Sequence, residues 1–286
     1  MHRGEKSGRV KIELYLLLFL SVLSISSAAI FVVLADAPGP VTAFWRLVFS
    51  VLILLFLSKP VRFPGRKEVV YPLVAGVALA IHFSSWMESL FYASVAVSTT
   101  IVCTHAIFSA IFSSILGEKP SAIQILGVIV AISGVYFLSG ADPSSEPEGI
   151  SLALTGAVAG GVYFTVGRFS RGKLDFKVYV FLTYSFAALT TLAINFLLNL
   201  PIFGYELKTW MFFFLLALIP MMFGHTAINY LLRHLSVVTV TASVIGEAVG
   251  ASVLAWIFLG QVLDVKAYIS MVVVLFGVFL AVWKES

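Results

Sequence analysis

The stretch LYLLLFLSVLSISSAAIFVVL, residues 14–34, contains no charged residue and indicates the class of this protein. Its length of 21 residues matches the roughly 20 that a helix needs to cross the hydrocarbon core of a bilayer. It exceeds the roughly 7–15 apolar residues of a signal-peptide core. We therefore expect a retained membrane helix, although a basic lead and the tripeptide Ala35-Asp36-Ala37 resemble a cleavable signal.

The composition extends this pattern over the whole chain. Of its 286 residues, 60% are hydrophobic and 11% are charged, whereas about 25% are charged in soluble domains, and the mean hydropathy is +1.05. These values exclude an ordinary cytosolic enzyme, a secreted disulfide scaffold and a disordered protein. The single cysteine, Cys103, excludes disulfides, iron–sulfur clusters and cysteine-based zinc sites. We predict an all-α membrane protein without a metal or another cofactor.

Apolar runs separated by charges, Pro or Gly predict the membrane helices. They number ten, at residues 13–34, 41–58, 69–91, 95–116, 122–138, 150–167, 176–198, 209–232, 237–259 and 265–283. Shifting the first half by 143 residues without gaps places His82 on His225, Gly117 on Gly260 and Gly134 on Gly277. We therefore predict two five-helix repeats, 13–139 and 150–283, with a cytoplasmic tail 1–12 and an extracytoplasmic linker 140–149. An odd number of crossings inverts the second repeat, an arrangement characteristic of secondary transporters.

The basic residues predict the orientation, because Lys and Arg are enriched in cytoplasmic loops. Alternating sides along the ten helices places 15 of the 18 Lys and Arg on the side of the N-terminus. These 15 are Arg3, Lys6, Arg9, Lys11, Lys59, Arg62, Arg66, Lys67, Lys119, Arg168, Arg171, Lys173, Lys177, Arg233 and Lys284. The other side has two, Lys208 and Lys266. We expect both termini in the cytoplasm and attribute the net charge of +4 to orientation rather than to nucleic-acid binding.

One carboxylate is predicted near the middle of the bilayer. Glu247 follows the start of its helix by ten residues, or roughly 15 Å at 1.5 Å per residue. Ionisable groups at this depth usually face a cavity or a partner. Glu247 is therefore a candidate for binding a substrate amine or a coupling proton, with Ser243 on the same helix face. The alternative is a structural hydrogen bond to a neighbouring helix.

Other polar side chains recur at helical spacing within apolar spans. His82, Ser85, Trp86 and Ser89 form one stripe, which predicts either a cavity wall that binds substrate or hydrogen bonds between helices. His225 and Asn229 share a face and form either a gate or a structural contact. Thr104, which shares a face with Thr100 and Cys103, is a further candidate substrate ligand, whereas His105 is expected more often to be a packed residue.

Arg46 and Glu88 are both predicted in the outer parts of their helices. An ion pair between them would satisfy both groups, and the alternative is that Arg46 extends to the outer interface. No metalloprotease, nucleophile-elbow, P-loop or dinucleotide-binding motif occurs in the sequence.

Three groups of residues resemble the EamA-type branch of the drug/metabolite transporter superfamily. They are HFSSW, SVA and GEK at 82–86, 94–96 and 117–119, their counterparts GHTAINY, GE and GQ at 224–230, 246–247 and 260–261, and FWR at 44–46. The resemblance covers nearly the whole chain and implies a carrier of small organic solutes that works by alternating access, often as an exporter of amino acids or other metabolites. Similar sequences usually have Pro at the positions of Ala106 and Ala248, so we expect two helix kinks to be missing.

The leading prediction is a secondary-active transporter in the plasma membrane, a monomer or homodimer, with a small solute and the bilayer as partners and no nucleic acid. The alternatives are an intramembrane lipid-modifying enzyme and a channel or receptor. The missing catalytic motifs argue against the enzyme, and the inverted repeat argues against the receptor.

Overall fold

The computed structural model describes residues 2–57, 65, 67–139, 146–170, 173–260 and 265–283. All regular structure in these ranges is helical, as predicted. The helices lie along ten rods, α1 to α10. The continuous rods are α2 (Gly39–Leu57), α3 (Val70–Ser89), α5 (Ala122–Ser139), α6 (Pro147–Phe169), α7 (Phe176–Leu197) and α10 (Val265–Trp283). The interrupted rods are α1 (His2–Ser26 and Ala28–Ala35), α4 (Val95–Cys103 and His105–Ile115), α8 (Leu207–Leu216, Ala217–Thr226 and Ala227–Leu231) and α9 (Val237–Val244 and Gly246–Leu259).

Eight of these rods are long and apolar enough to cross a membrane. In the other two, α5 and α10, the apolar parts are shorter, Ala122–Phe137 and Ile269–Ala281. The helix α1 begins at His2, so residues that we expected to form a tail continue the first helix. Most of the expected linker, residues 140–145, lies outside the described residues, and so do Lys59, Arg62, Arg66, Arg171 and Lys284.

Helix starts follow local capping chemistry. The side chains of Ser94, Asp175 and Ser236 accept hydrogen bonds from the first free backbone N–H groups of α4, α7 and α9. The C-terminal ends of α4 and α9 are also alike, because Gly117 and Gly260 both adopt positive φ angles, +97° and +67°. Glycine takes this conformation without steric cost.

Large apolar side chains cover the outside of the bundle, as expected for contact with lipid. Phe56 is 90% exposed, Leu207 85% and Leu197 80%. Small residues allow close packing inside. The rods α5 and α10 are antiparallel, and a Cβ at Gly127 would lie 2.7 Å from the carbonyl oxygen of Gly277.

Two ends of the bundle differ in charge. The basic end carries Lys119, Arg168, Lys173, Lys177 and Arg233, and the acidic end carries Asp36, Glu88, Glu146, Glu148 and Glu206. At the acidic end, the negative charges of Glu148 and Glu88 raise the pKa of Tyr92.

Candidate functional site

Two interrupted helices cross near the centre of the bundle. The rod α4 is interrupted at Thr104 and α9 at Ile245. In each case the interrupting residue donates its N–H to the carbonyl three residues earlier, and its own carbonyl accepts from the residue three positions later. The two interruptions meet, since Cys103 Sγ lies 4.0 Å from the carbonyl oxygen of Val244.

These interruptions correct our expectation that two kinks would be missing. Proline is not required for them. At the α4 break, the Thr104 hydroxyl donates to the carbonyl of Ile101 at 2.6 Å, and such back-bonding bends helices. The α9 break immediately precedes Gly246, which has a low helix propensity. A third irregularity was not predicted, because the π-helical segment Ala217–Thr226 of α8 contains Pro220 and places His225 at its end.

A narrow cavity lies beside this crossing. Its wall combines three imidazoles, an indole and one carboxyl group with apolar side chains. The lining residues are Ala28, His82, Trp86, Val102, His105, Phe164, His225, Val244 and Glu247. These residues come from α1, α3, α4, α6, α8 and α9.

Four predicted site residues therefore meet at one place, namely His82, Trp86, His225 and Glu247. Their role in binding substrate stays a prediction. His105 also lines the cavity, although we expected it to be a packed residue. Phe164 also lines the cavity but was not among the predicted site residues. Gly156 and Gly160 on the same helix are the signal that could have indicated its position.

The rings around the cavity are held in fixed positions. His82 Nδ1 donates to the carbonyl of Gly156 at 2.8 Å, because a carbonyl can only accept, and its ring stacks on Trp86 with centroids 6.4 Å apart. A Cβ at Gly160 would lie 2.9 Å from the same His82 nitrogen. The His225 ring stacks on Phe164 at 6.2 Å. The two glycines therefore allow α6 to pack closely on α3 at the cavity.

The predicted ion pair between Arg46 and Glu88 is not formed. Glu88 accepts a hydrogen bond from Gly39 N at 2.6 Å, whereas Arg46 lies seven residues further along α2, or roughly 10 Å deeper at 1.5 Å per residue. Its guanidinium lies over the ring of Phe83, 4.0 Å from the centroid. Arg46 is 0% exposed, so it does not extend to the interface either.

The Phe83 ring that Arg46 covers packs against His225 at 5.0 Å and against His82 at 5.3 Å between centroids, and both histidines line the cavity. The three guanidinium nitrogens of Arg46 have no hydrogen-bond partner among the described residues. The cavity therefore has a buried cation directly behind its wall.

The remaining predicted site residues lie away from this cavity. Ser89 hydrogen-bonds Ser98 at 2.6 Å and so joins α3 to α4. Thr104 and Ser243 donate to carbonyls of their own helices, and Ser85 is half-buried outside the lining. Asn229 donates to Tyr163 and to the carbonyl of His225, which makes a contact between α6 and α8.

A second cavity lies towards the basic end. It is lined by Gly167, Ser170, Leu174, Phe176, Tyr179, Asn229 and Arg233. Asn229 lines this cavity, and His225, one turn earlier on α8, lines the central one. The contact between Asn229 and Tyr163 therefore lies between the two cavities.

Four helix ends are joined at the basic end by charged groups. Arg168 Nε donates to Glu118 at 2.8 Å, and its Nη1 donates to the carbonyl of Leu232 at 3.0 Å. The other oxygen of Glu118 accepts from Val237 N at 3.2 Å. These side chains therefore connect α4, α6, α8 and α9. We call this group the Arg168–Glu118 network.

Within the part of the chain that the structure describes, no three His, Cys, Asp or Glu side chains are close enough to hold a metal ion.

One family model, one relative and one solved structure are similar to this chain. The sequence model of the EamA-like transporter family matches the chain twice, at residues 13–140 and 147–283. An uncharacterized transporter of Clostridium kluyveri is 24% identical over 248 residues, which cover 81% of this chain and 79% of the relative. A protein of known crystal structure superimposes with a TM-score of 0.76 at 18% identity, over 95% of this chain and 96% of that one. This structural likeness concerns the fold alone.

Proposed function

The chain belongs to the EamA-like transporter family, and from this premise we propose that it is a secondary-active transporter of small organic metabolites. It exports or exchanges its solute, for example an amino acid, by alternating access in the plasma membrane. Both termini lie in the cytoplasm, at the basic end of the bundle.

Several features support ten crossings in two inverted repeats. The family model matches each half separately. The packing partners also correspond between the halves. The helix α3 packs on α6, and its counterpart α8 packs on α1. Likewise, α4 packs on α6, and its counterpart α9 packs on α1. The positive-φ glycines that end α4 and α9 are 143 residues apart. The shorter apolar parts of α5 and α10 pack against each other, and we propose that they complete the ten crossings.

The observation that carries the proposal is the central cavity at the meeting point of the two interrupted helices. A solute site near the midplane at the interface of two repeats is typical of secondary transporters. The walls come from both halves, so a relative movement of the halves would change access to the cavity. The Arg168–Glu118 network and the Asn229–Tyr163 contact lie between the cavity and the basic end. We infer that they close that side in this conformation.

Glu247 is the proposed coupling group. It is the single carboxyl group that lines the cavity, and a carboxyl in such a place exchanges protons with one side at a time when access alternates. A direct contact with a substrate amine is the second role that its position supports.

Solute counterflow in proteoliposomes tests the proposal. Vesicles containing only this protein are loaded with unlabelled solute and then given a trace of the labelled solute outside. We expect saturable, transient accumulation of label, abolished by Trp86→Ala in the cavity wall but not by Trp256→Ala, because Trp256 is 48% exposed on the outside of α9. Flux that never saturates would favour a channel, and turnover of a lipid without flux would favour an enzyme.

A further inference from the structure

Several buried nitrogen atoms around the central cavity have no hydrogen-bond partner among the described residues. Three belong to lining residues, namely Trp86 Nε1, His105 Nδ1 and His225 Nδ1. The others are the three guanidinium nitrogens of Arg46. A buried polar group without a partner is costly, so this concentration at one cavity indicates a ligand that completes the bonding.

The chemistry of these atoms specifies an acceptor. An indole Nε1 can only donate, and a guanidinium has five N–H donors and no acceptor. An imidazole Nδ1 donates when it carries the proton. His82 provides a contrast, because its Nδ1 is already bonded to the carbonyl of Gly156.

The charge specifies an anion. The guanidinium of Arg46 keeps its proton in proteins, and its face packs on the ring of Phe83, which bears no charge. The ionisable groups around it and the cavity are His82, Cys103, His105, Tyr163, Tyr184, His225 and Glu247. Glu247 is the only carboxylic acid among them. A buried charge needs a compensating one, and one guanidinium matches one negative charge.

We propose that the transported solute is an organic carboxylate with a single carboxyl group, an inference that rests on the proposed function. The carboxylate binds the N–H groups of Trp86, His105 and His225 in the positive field of Arg46, and the apolar part of the solute lies against Val102, Phe164 and Val244. Charge balance then requires that Glu247 is protonated or that it faces an ammonium group of the solute.

Three probes built on the same butyl chain separate these cases. Pentanoate has the carboxylate alone, norvaline has the carboxylate and an ammonium group, and butylamine has the ammonium group alone. Binding to the purified full chain in lipid nanodiscs is measured by calorimetry in a weakly buffered solution. We expect a carboxylate probe to bind at millimolar concentration and butylamine not to bind. Proton uptake with pentanoate identifies a Glu247 that becomes protonated when the probe binds, and tighter binding of norvaline without proton uptake identifies an ammonium group on Glu247.

Substitutions of Arg46 and Trp86 test whether the anion binds in this cavity. Arg46→Gln should abolish carboxylate binding, whereas Arg46→Lys, which keeps the charge, should retain it. Trp86→Phe removes one N–H but keeps an aromatic ring, so it should weaken binding about tenfold, the size expected for one hydrogen bond to a charged group. Trp256→Phe removes the same N–H from the exposed surface of α9 and should leave binding unchanged. If Arg46→Gln does not fold, the pair of tryptophan variants still gives the answer.

Binding of butylamine in preference to both carboxylates, binding of neither carboxylate, or equal effects of Trp86→Phe and Trp256→Phe would overturn this inference. Its failure is distinct from that of the proposed function. Counterflow of an amine without carboxylate binding leaves a transporter with a different site. Carboxylate binding without any flux leaves the site but rejects the transporter.

Discussion

Replacing Glu247 by glutamine tests the coupling mechanism. Glutamine keeps the shape and the hydrogen-bonding capacity of the side chain but cannot carry an exchangeable proton. As the proposed coupling group, Glu247 carries one proton in each cycle. A gradient of one pH unit is then worth about 1.4 kcal/mol, or about a tenfold accumulation of solute. We expect the wild type to approach this ratio and Glu247→Gln to stay near equal concentrations while retaining solute exchange.

The assay uses proteoliposomes with an imposed pH gradient for accumulation and without one for exchange. Glu88→Gln is the matched control, since it makes the same change at the acidic end, where Glu88 binds the backbone N–H of Gly39. Loss of both exchange and accumulation in Glu247→Gln would indicate an amine ligand instead of a proton carrier. Accumulation like that of the wild type would refute both functional roles and leave a structural hydrogen bond.

Three further predictions concern packing, closure and orientation. Gly277→Leu places a side chain against the backbone of α5 at Ala131, so it should lower the free energy of unfolding by about 1–3 kcal/mol or more. Val272→Leu, on the exposed side of α10, should leave the free energy of unfolding unchanged. Equal melting temperatures of the two variants would contradict this packing. Arg168→Gln breaks the Arg168–Glu118 network, so a cysteine at Ser170, in a Cys103→Ala background, should react faster with a thiol reagent added from the basic end, and an unchanged rate would contradict the proposed closure. A cysteine placed at Ser286 in the same background should be labelled by an impermeant reagent only after the cells are opened, and labelling of intact cells would reverse the orientation.

The fold was largely predictable from the sequence because helices in a bilayer must be long, apolar and internally hydrogen-bonded. The interruptions were harder to predict. Proline is the signal that a sequence analysis uses, but here the breaks at Thr104 and Ile245 occur without proline, through a side-chain bond in one case and beside a glycine in the other.

Helical spacing located the cavity wall only in part. His82 and Trp86 are one turn apart and both line the cavity. Ser89 belongs to the same stripe but lies seven residues from His82, or roughly 10 Å along the axis, and it bonds to Ser98 instead. Spacing identifies the face of a helix but not the length of the cavity along it.

Arg46 shows a similar limit for the position of a residue along the helix axis. Its helix and its polarity were visible in the sequence, but its partner depends on how far α2 and α3 are shifted along their axes. The structure aligns Gly39 with Glu88 and so places Arg46 beside Phe83. That relative shift is set by tertiary packing, on which the sequence of either helix alone gives no information.

The most direct test of the central claim is the accessibility of the cavity from each side of the membrane. Val244→Cys in a Cys103→Ala background places a thiol in the cavity wall, and Val238→Cys, buried elsewhere on α9, is the control. In proteoliposomes of fixed orientation, we predict that an impermeant thiol reagent reaches Cys at position 244 from either side and that the transported solute slows both reactions. Position 238 should stay unreactive. Reaction of position 244 from one side only, unaffected by solute, would contradict alternating access to this cavity.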